Sequence, residues 1–298
     1  MRKNNEIYDQ DAFVWSDQHY NPPSMRELVL YELHVGTHSW NACSKKIKHF
    51  KQIGTFKDIE KQLSYFVELG INGLALMPIG QDIHSAPGNC WGYDPISLFS
   101  IHTDYGTPDD LKSLINSAHL LGISVFFDYV PNHLSSRNIL GNFDGPADIY
   151  FPSDRKKKVT PWGPRPDFSK PQVRAYIIDA AANLLSNYHF DGIRVDSTGN
   201  IRNYTENNTP IIDPHGWTLL QELNDYIHSN FPGKITIAED LNDLGGVVNL
   251  GGNGFDLQVR PFSILLILTY SCMISSGMEC FSGICCKQSS TYQTRGGK

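Results

Sequence analysis

Short apolar runs alternate along this chain with segments whose apolar residues recur every three or four positions. The runs predict β-strands and the amphipathic segments predict α-helices. Five strands are predicted, over residues 28–36, 71–79, 123–128, 193–196 and 234–239. Helices are predicted between them, over residues 58–69, 108–121, 171–188 and 216–228. Strands and helices that alternate in this way indicate parallel βα units.

Two helix starts are marked by side chains that satisfy the first free backbone N–H groups. Thr55 and Asp58 have the spacing of a capping box, which predicts the start of the first helix. Thr107 precedes Pro108 and Asp110, and this order predicts an N-cap followed by a first helical turn.

The pattern predicts an α/β fold of the (β/α)₈ TIM-barrel type. A complete barrel has eight βα units, whereas the pattern here ends after about five, so the barrel is predicted to be truncated. We divide the chain into an N-terminal extension (residues 1–27), a partial catalytic barrel (28–258) and an atypical tail (259–298) that is unrelated to the barrel.

The tail differs from the rest in composition. It holds one acidic residue against four basic ones, and four of the six cysteines. Residues 261–278 carry no charge, which is just long enough to raise a transmembrane segment as an alternative, although Pro261 and Gly277 weaken it. The tail cysteines lack paired Cys-x₂-Cys spacing, so we expect no metal site and no cofactor.

The overall composition narrows the class of protein. With 298 residues, 19% of them charged, and a net charge of −6, the chain is expected to fold and is not expected to bind nucleic acid. The first residues lack the apolar core of a signal peptide, which predicts a cytoplasmic protein without a membrane partner.

Three predicted strands end in acidic residues, namely Asp128, Asp196 and Glu239. In a parallel barrel the carboxyl ends of the strands meet on one face, where active sites lie. Alternation along the fourth strand places Arg194 on the same side as Asp196, which predicts an ionised and oriented Asp196. The apolar residues before Glu239 predict a protonated Glu239. One ionised and one protonated carboxyl form the pair that retaining glycosidases use.

Several segments resemble, in order and spacing, regions of the α-amylase superfamily (glycoside hydrolase family thirteen). They are DYVPNH at 128–133, GIRVD at 192–196 and AE at 238–239. The segments LYELHVGT at 30–37, GYDP at 92–95 and YHFDG at 188–192 look more like glucan branching enzymes and maltooligosyl-trehalose trehalohydrolases. Residues 196–203, 234–240 and 254–256 favour the branching enzymes.

The resemblance implies roles for individual residues. Asp196 would be the nucleophile, Glu239 the general acid/base, and Arg194 the cation that orients them. His133 would bind a sugar hydroxyl and Tyr93 would stack on the sugar that becomes attached. The residues expected to support the site or bind substrate are Arg194, Asp128, Asn132, His133, Tyr93 and Asp94.

The resemblance implies a retaining enzyme that acts on an α-glucan or maltooligosaccharide, with 1,4-α-glucan branching as the first expectation. Hydrolysis of the α-amylase or maltooligosyl-trehalose type is an alternative, because both reactions use the same carboxylates. The family also uses a third carboxylate, preceded by histidine, at the end of strand seven. Only Asp240, Asp243 and Asp256 follow Glu239, and none has that neighbour. An inactive glucan-binding fragment is therefore a further alternative.

Overall fold

A computed structural model describes residues 8–38, 53–82, 91–142, 149–241, 245–248 and 253–259. The strands are β1 Leu30–Leu33, β2 Gly73–Leu76, β3 Ser124–Tyr129, β4 Gly192–Val195, β5 Asn203–Glu206, β6 Thr209–Ile212, β7 Ile235–Glu239 and β8 Leu257–Val259. The helices are α1 Val35–His38, α2 Phe56–Glu60, α3 Leu63–Glu68, α4 Pro108–Leu120, α5 Arg155–Lys158, α6 Pro171–Asn187, α7 Thr198–Arg202 and α8 Pro214–Asn230.

The main sheet has six strands in the order β1-β2-β3-β4-β7-β8, and every neighbouring pair is parallel. Each strand lies beside the one that precedes it in this sheet, and helices connect most of them. This is the order of strands in a (β/α)₈ barrel, so the predicted fold type is confirmed.

The sheet contains one strand more than the five predicted. Leu257–Val259 pairs with β7 in parallel, and Val259, the first residue of the predicted tail, lies opposite Glu239. The strand has only three residues and follows a glycine-rich stretch, so it has too short a pattern to be recognised from sequence. The rest of the predicted tail, including the possible membrane segment at 261–278, lies outside the described residues. Within the described ranges, no helix has the length and apolar character needed to cross a membrane.

The predicted helix over residues 58–69 is wrong in one respect, because it is two short helices. The capping box at Thr55 and Asp58 is present and starts α2. The backbone of Gln62 then takes φ −103° and ψ 2°, which interrupts the helix before α3. The second capping box, at Thr107 and Asp110, starts α4 as predicted.

Helices α4, α6 and α8 pack their apolar faces against the sheet, and β3 at its centre is buried along its whole length. The N-terminal extension packs at the end of the sheet where the strands begin. Tyr20 bonds Ser124 through the two hydroxyls at 2.7 Å, and Trp15 stacks on His189 with ring centroids 3.7 Å apart. The opposite end of the sheet, where the strands finish, carries the acidic residues.

We expect Gly192→Ala to separate β4 from β7. A Cβ at this position would lie 2.1 Å from the carbonyl oxygen of Ile235, which is backbone of the neighbouring strand and cannot yield as a side chain does. The free energy of unfolding, measured by urea denaturation, should fall by about 1–3 kcal/mol. Gly141→Ala is the matched control, because the nearest described atom beyond its chain neighbours, Oδ1 of Asn138, would lie 3.6 Å from its Cβ. Equal stability of the two variants would contradict the prediction.

Candidate active site

Three neighbouring strands bring Asp128, Asp196 and Glu239 to the same face of the sheet. Asp128 lies near the end of β3, Asp196 follows β4 directly, and Glu239 is the last residue of β7. Because parallel strands in register end together, their side chains meet where the strands finish. The expectation that these three carboxylates converge is confirmed.

Arg194 lies at the centre of the cluster and contacts all three carboxylates. It forms an ion pair with Asp128; its Nη1 is 3.5 Å from Oδ1 of Asp196, and its Nη2 is 3.3 Å from Oε2 of Glu239. The Arg194 side chain is only 12% exposed, so solvent screens these interactions weakly. One buried cation is therefore shared by three carboxylates.

Arg194 lowers the pKa of Asp196, as the sequence analysis expects, but the net pKa of Asp196 in this ligand-free site is raised. Burial raises the pKa of Asp196, and the charges of Asp128 and Glu239 raise it further, to about 8. Arg194 and a hydrogen bond from Asn132 lower this pKa, but by less. The guanidinium is engaged first by Asp128, so Asp196 receives only part of its stabilising effect.

Asn132 and His133 connect Asp196 to the loop that follows β2. The Asn132 amide donates to Oδ2 of Asp196 at 2.7 Å and to its backbone carbonyl at 3.0 Å. His133 is buried, with Nδ1 2.5 Å from the Asn132 side-chain oxygen and Nε2 2.8 Å from the carbonyl of Tyr93. Both ring nitrogens of His133 already contact protein oxygens, so a sugar hydroxyl would have to share one of them.

Tyr93 lies within the cluster, while Asp94 lies beside it. The Tyr93 hydroxyl donates to Oδ2 of Asp128 at 2.7 Å, which fixes the phenol ring over the carboxylates. The Asp94 backbone N–H donates to Asp82 at 3.3 Å, and the charge of Asp94 acts on the buried His133. Burial lowers the pKa of His133, and its bond to Tyr93 and the charge of Asp94 partly oppose this.

The loop after β4 holds Glu239, a feature that the sequence did not reveal. Ser197 has the left-handed conformation (φ 46°, ψ 56°), which is uncommon for a residue other than glycine, and its N–H donates to Oε2 of Glu239 at 2.9 Å. The Thr198 hydroxyl donates to the Glu239 carbonyl at 3.0 Å. A strained backbone conformation is thus tied to the predicted acid/base residue.

A second buried ion pair lies directly behind Glu239. Asp240 is fully buried and accepts hydrogen bonds from Nε and Nη2 of Arg202 at 2.9 and 3.1 Å. Gln258 of β8 donates to the Asp240 carbonyl at 2.8 Å. The polarity of Asp240 immediately after a strand could have indicated such a partner, but Arg202 lies 38 residues away and nothing in the sequence pairs them.

A fourth carboxyl group, that of Glu32 on β1, lies in the electrostatic range of the same cluster. Burial raises the pKa of Glu32; Arg194 lowers it, and Asp128 and Glu239 raise it. The sequence analysis did not single out Glu32, although its position in a parallel strand was a usable signal. In the described part of the chain, no three His, Cys, Asp or Glu side chains are grouped so that they could hold a metal ion.

The stability of Asp196→Asn relative to the wild type should increase as the pH rises. The pKa of Asp196 is raised from 3.8 to about 8 on folding, so folding takes up a proton between these values and stability falls as the pH increases through that window. Asparagine cannot lose this proton. The difference in unfolding free energy between variant and wild type should grow by at least about 1 kcal/mol from pH 5 to pH 8. Asp179→Asn, at an exposed position of α6, is the control, and a pH-independent difference for Asp196→Asn would disprove the shift.

Asp240→Asn should strongly destabilise the fold, because it leaves the Arg202 guanidinium buried without its charge partner. Removing one partner of a buried ion pair costs about 3–5 kcal/mol. Glu206→Gln removes one partner of the exposed pair with Lys156 and should change stability by less than about 1 kcal/mol. Urea denaturation measures the unfolding free energy of both variants. Similar losses in the two would show that the buried pair of Asp240 with Arg202 contributes no more to stability than the exposed pair does.

Comparison with known proteins finds similarity to enzymes that are named for glucan branching and for the hydrolysis of malto-oligosyltrehalose. Residues 34–147 match the family model described as alpha amylase, catalytic domain. A 1,4-alpha-glucan branching enzyme GlgB of Photobacterium profundum is 33% identical over 273 residues, covering 85% of this chain and 37% of the relative. A malto-oligosyltrehalose trehalohydrolase of Saccharolobus solfataricus is 34% identical over 243 residues, covering 80% of this chain and 37% of the relative.

Comparison of the fold with solved structures also finds similarity to an alpha-amylase. The crystal structure of an alpha-amylase candidate from Salmonella typhimurium superposes with a TM-score of 0.65 and 29% identity, over 85% of this chain and 39% of that one. The chain thus spans less than two fifths of the length of the relatives it matches. In sequence over residues 34–147, and in fold over most of its length, the chain is similar to part of the alpha-amylase catalytic domain.

Proposed function

We propose that this chain supplies the nucleophile and the acid/base of a retaining enzyme that acts on α-1,4-glucans, and that the reaction is of the branching type. The observation that carries this proposal is the contact of Asp196 and Glu239 with the same guanidinium of Arg194. Retaining glycosidases need two carboxyl groups close together on either side of the bond that breaks. Names of the relatives, among which branching enzymes recur, support the glucan as substrate.

The proposed reaction has two steps. Asp196 attacks the anomeric carbon and forms a covalent glycosyl-enzyme, while Glu239 donates its proton to the leaving glycosidic oxygen. Glu239, now deprotonated, then accepts a proton from an acceptor hydroxyl, which attacks the glycosyl-enzyme and releases Asp196. A sugar 6-hydroxyl as acceptor gives an α-1,6 branch, and water gives hydrolysis.

The residues around the pair would orient it. Asn132 holds Oδ2 of Asp196 through a 2.7 Å hydrogen bond, so Oδ1, which lies 3.5 Å from Nη1 of Arg194, would be the oxygen that attacks the substrate. Tyr93 is fixed by Asp128 in a position where its ring can lie against the reacting sugar, and His133 and Asp94 lie beside it. The roles proposed here come from the family resemblance, and the contacts just described support them.

A second candidate is a glucan-binding chain without turnover. Two of the three aspartates that follow Glu239 are described, and both are engaged away from the cluster. Asp240 pairs with Arg202, and Asp256 bonds the start of β7 through the Thr236 N–H at 2.8 Å. Neither is placed to serve as the family's third carboxylate, and Asp243 lies outside the described residues.

An α-glucan or maltooligosaccharide is the partner in both candidates. The net charge of −6 argues against a nucleic-acid partner. A cytoplasmic location stays a prediction from the sequence.

Incubation with amylose followed by linkage analysis separates the candidates. We expect new α-1,6 linkages, lowered at least a thousandfold by Asp196→Asn, because loss of a catalytic nucleophile removes the covalent step (about 10³-fold or more). Asp179→Asn serves as the control. New reducing ends without α-1,6 linkages would assign hydrolysis instead. Retardation of the chain in a native gel that contains amylose, with neither product formed, would establish the second candidate.

A further inference from the structure

The four tryptophans in the described part of the chain fall into two groups. Trp15 stacks on His189, and Trp217 packs against the core. Trp91 and Trp162 instead expose 47% and 54% of their surface. Both exposed indoles lie on loops that follow β2 and β3, on the side of the sheet where the carboxylates lie. Large exposed apolar groups at such a face are typical of ligand-binding surfaces.

The turn that carries Trp162 is well fastened, so its exposure does not come from a loose loop. The Thr160 hydroxyl accepts from the N–H groups of Trp162 and Gly163, both at 3.2 Å, and donates to the Gly163 carbonyl at 2.7 Å. The turn is also held against the loop after β3, because the Leu134 N–H donates to the Pro164 carbonyl at 3.0 Å. A Cβ at Gly163 would lie 2.0 Å from the Leu134 carbonyl oxygen, so only glycine allows this close approach.

Trp162 lies two side chains away from the proposed nucleophile. Its ring centroid is 5.8 Å from that of His133, which contacts the side chain of Asn132. Asn132 in turn donates to Asp196. His133 is buried while Trp162 beside it remains more than half exposed, so the indole has a free face at the edge of the site.

We propose that Trp162 is a binding platform for a glucose unit of the α-glucan that lies next to the reacting unit. The flat apolar face of an indole fits the C–H face of a pyranose, and its N–H remains available to a hydroxyl. Because the turn is already held in place, little conformational entropy is lost when the sugar stacks on it. This proposal rests on the proposed function, since the glucan is the ligand of the same site.

The first test measures binding of maltoheptaose by isothermal titration calorimetry. Trp162→Ala should raise the dissociation constant about tenfold, which is the usual effect of removing an aromatic side chain on which a ligand stacks. Trp162→Phe keeps an aromatic face and should stay within about threefold of wild type. Leu120→Ala, which truncates a 61% exposed side chain at the end of α4, near the start of β3, should bind as wild type does. Unchanged binding by Trp162→Ala would overturn the proposal.

The second test needs no variant. N-bromosuccinimide oxidises exposed indoles, and mass spectrometry locates the oxidised residue. Maltoheptaose should protect Trp162 and leave the oxidation of Trp15, at the opposite end of the sheet, unchanged. Equal oxidation of Trp162 with and without the oligosaccharide, or no binding of maltoheptaose by the unmodified chain, would contradict the platform.

Binding and turnover are measured separately, so the two proposals can fail independently. A chain that binds maltoheptaose through Trp162 but forms no new linkage and no reducing end would refute the catalytic proposal alone. A chain that transfers glucan normally after Trp162→Ala, with unchanged affinity, would refute the platform alone.

Discussion

Three carboxylates depend on one buried guanidinium, and the end of the sheet that carries the site is organised around it. Arg194 pairs with Asp128 and also contacts Asp196 and Glu239, so the ends of three strands share one positive charge. In a poorly solvated environment, uncompensated like charges raise the free energy of the folded state. The apolar interior, with β3 buried along its length, has to offset that cost. Replacing Arg194 would leave the carboxylates to repel one another.

The two proposed catalytic groups are held in different ways. The side chain of Asp196 accepts a hydrogen bond from the side chain of Asn132. The Glu239 carboxylate instead accepts from the backbone N–H of Ser197, and the Glu239 carbonyl accepts from the Thr198 hydroxyl. Ser197 in the left-handed conformation directs its N–H at Glu239, and the next residue, Asp240, is secured by a buried ion pair. The loop after β4 is therefore joined to Glu239 and Asp240 at the end of β7, and movement of either part would displace Glu239 relative to Asp196.

The residues of this cluster could be predicted from the sequence, because the apolar runs show where the strands end and these residues lie at or next to the strand ends. It did not anticipate the raised pKa of Asp196, because the pattern along one strand shows Arg194 two residues away but not Asp128 on the neighbouring strand, which engages the same cation. The β5–β6 hairpin is a local feature that was also missed; Asn207 and Asn208 take the positive φ that a two-residue hairpin turn requires, so the Asn-Asn pair was a usable local signal. Long-range partners, unlike periodicity, leave no local signal.

The charge of the cluster and the chemistry proposed for it are connected. A retaining mechanism needs one proton, located on Glu239, with Asp196 ionised. The ligand-free geometry raises the pKa of Asp196 instead, through burial and the charges of Asp128 and Glu239. Closely coupled carboxyls share protons as a group, so moving one proton between them requires only a change in their local environment. In the proposed reaction, the glycosidic oxygen of a bound glucan would lie beside Glu239 and would supply that change. Substrate binding would therefore set the protonation state that the first step requires.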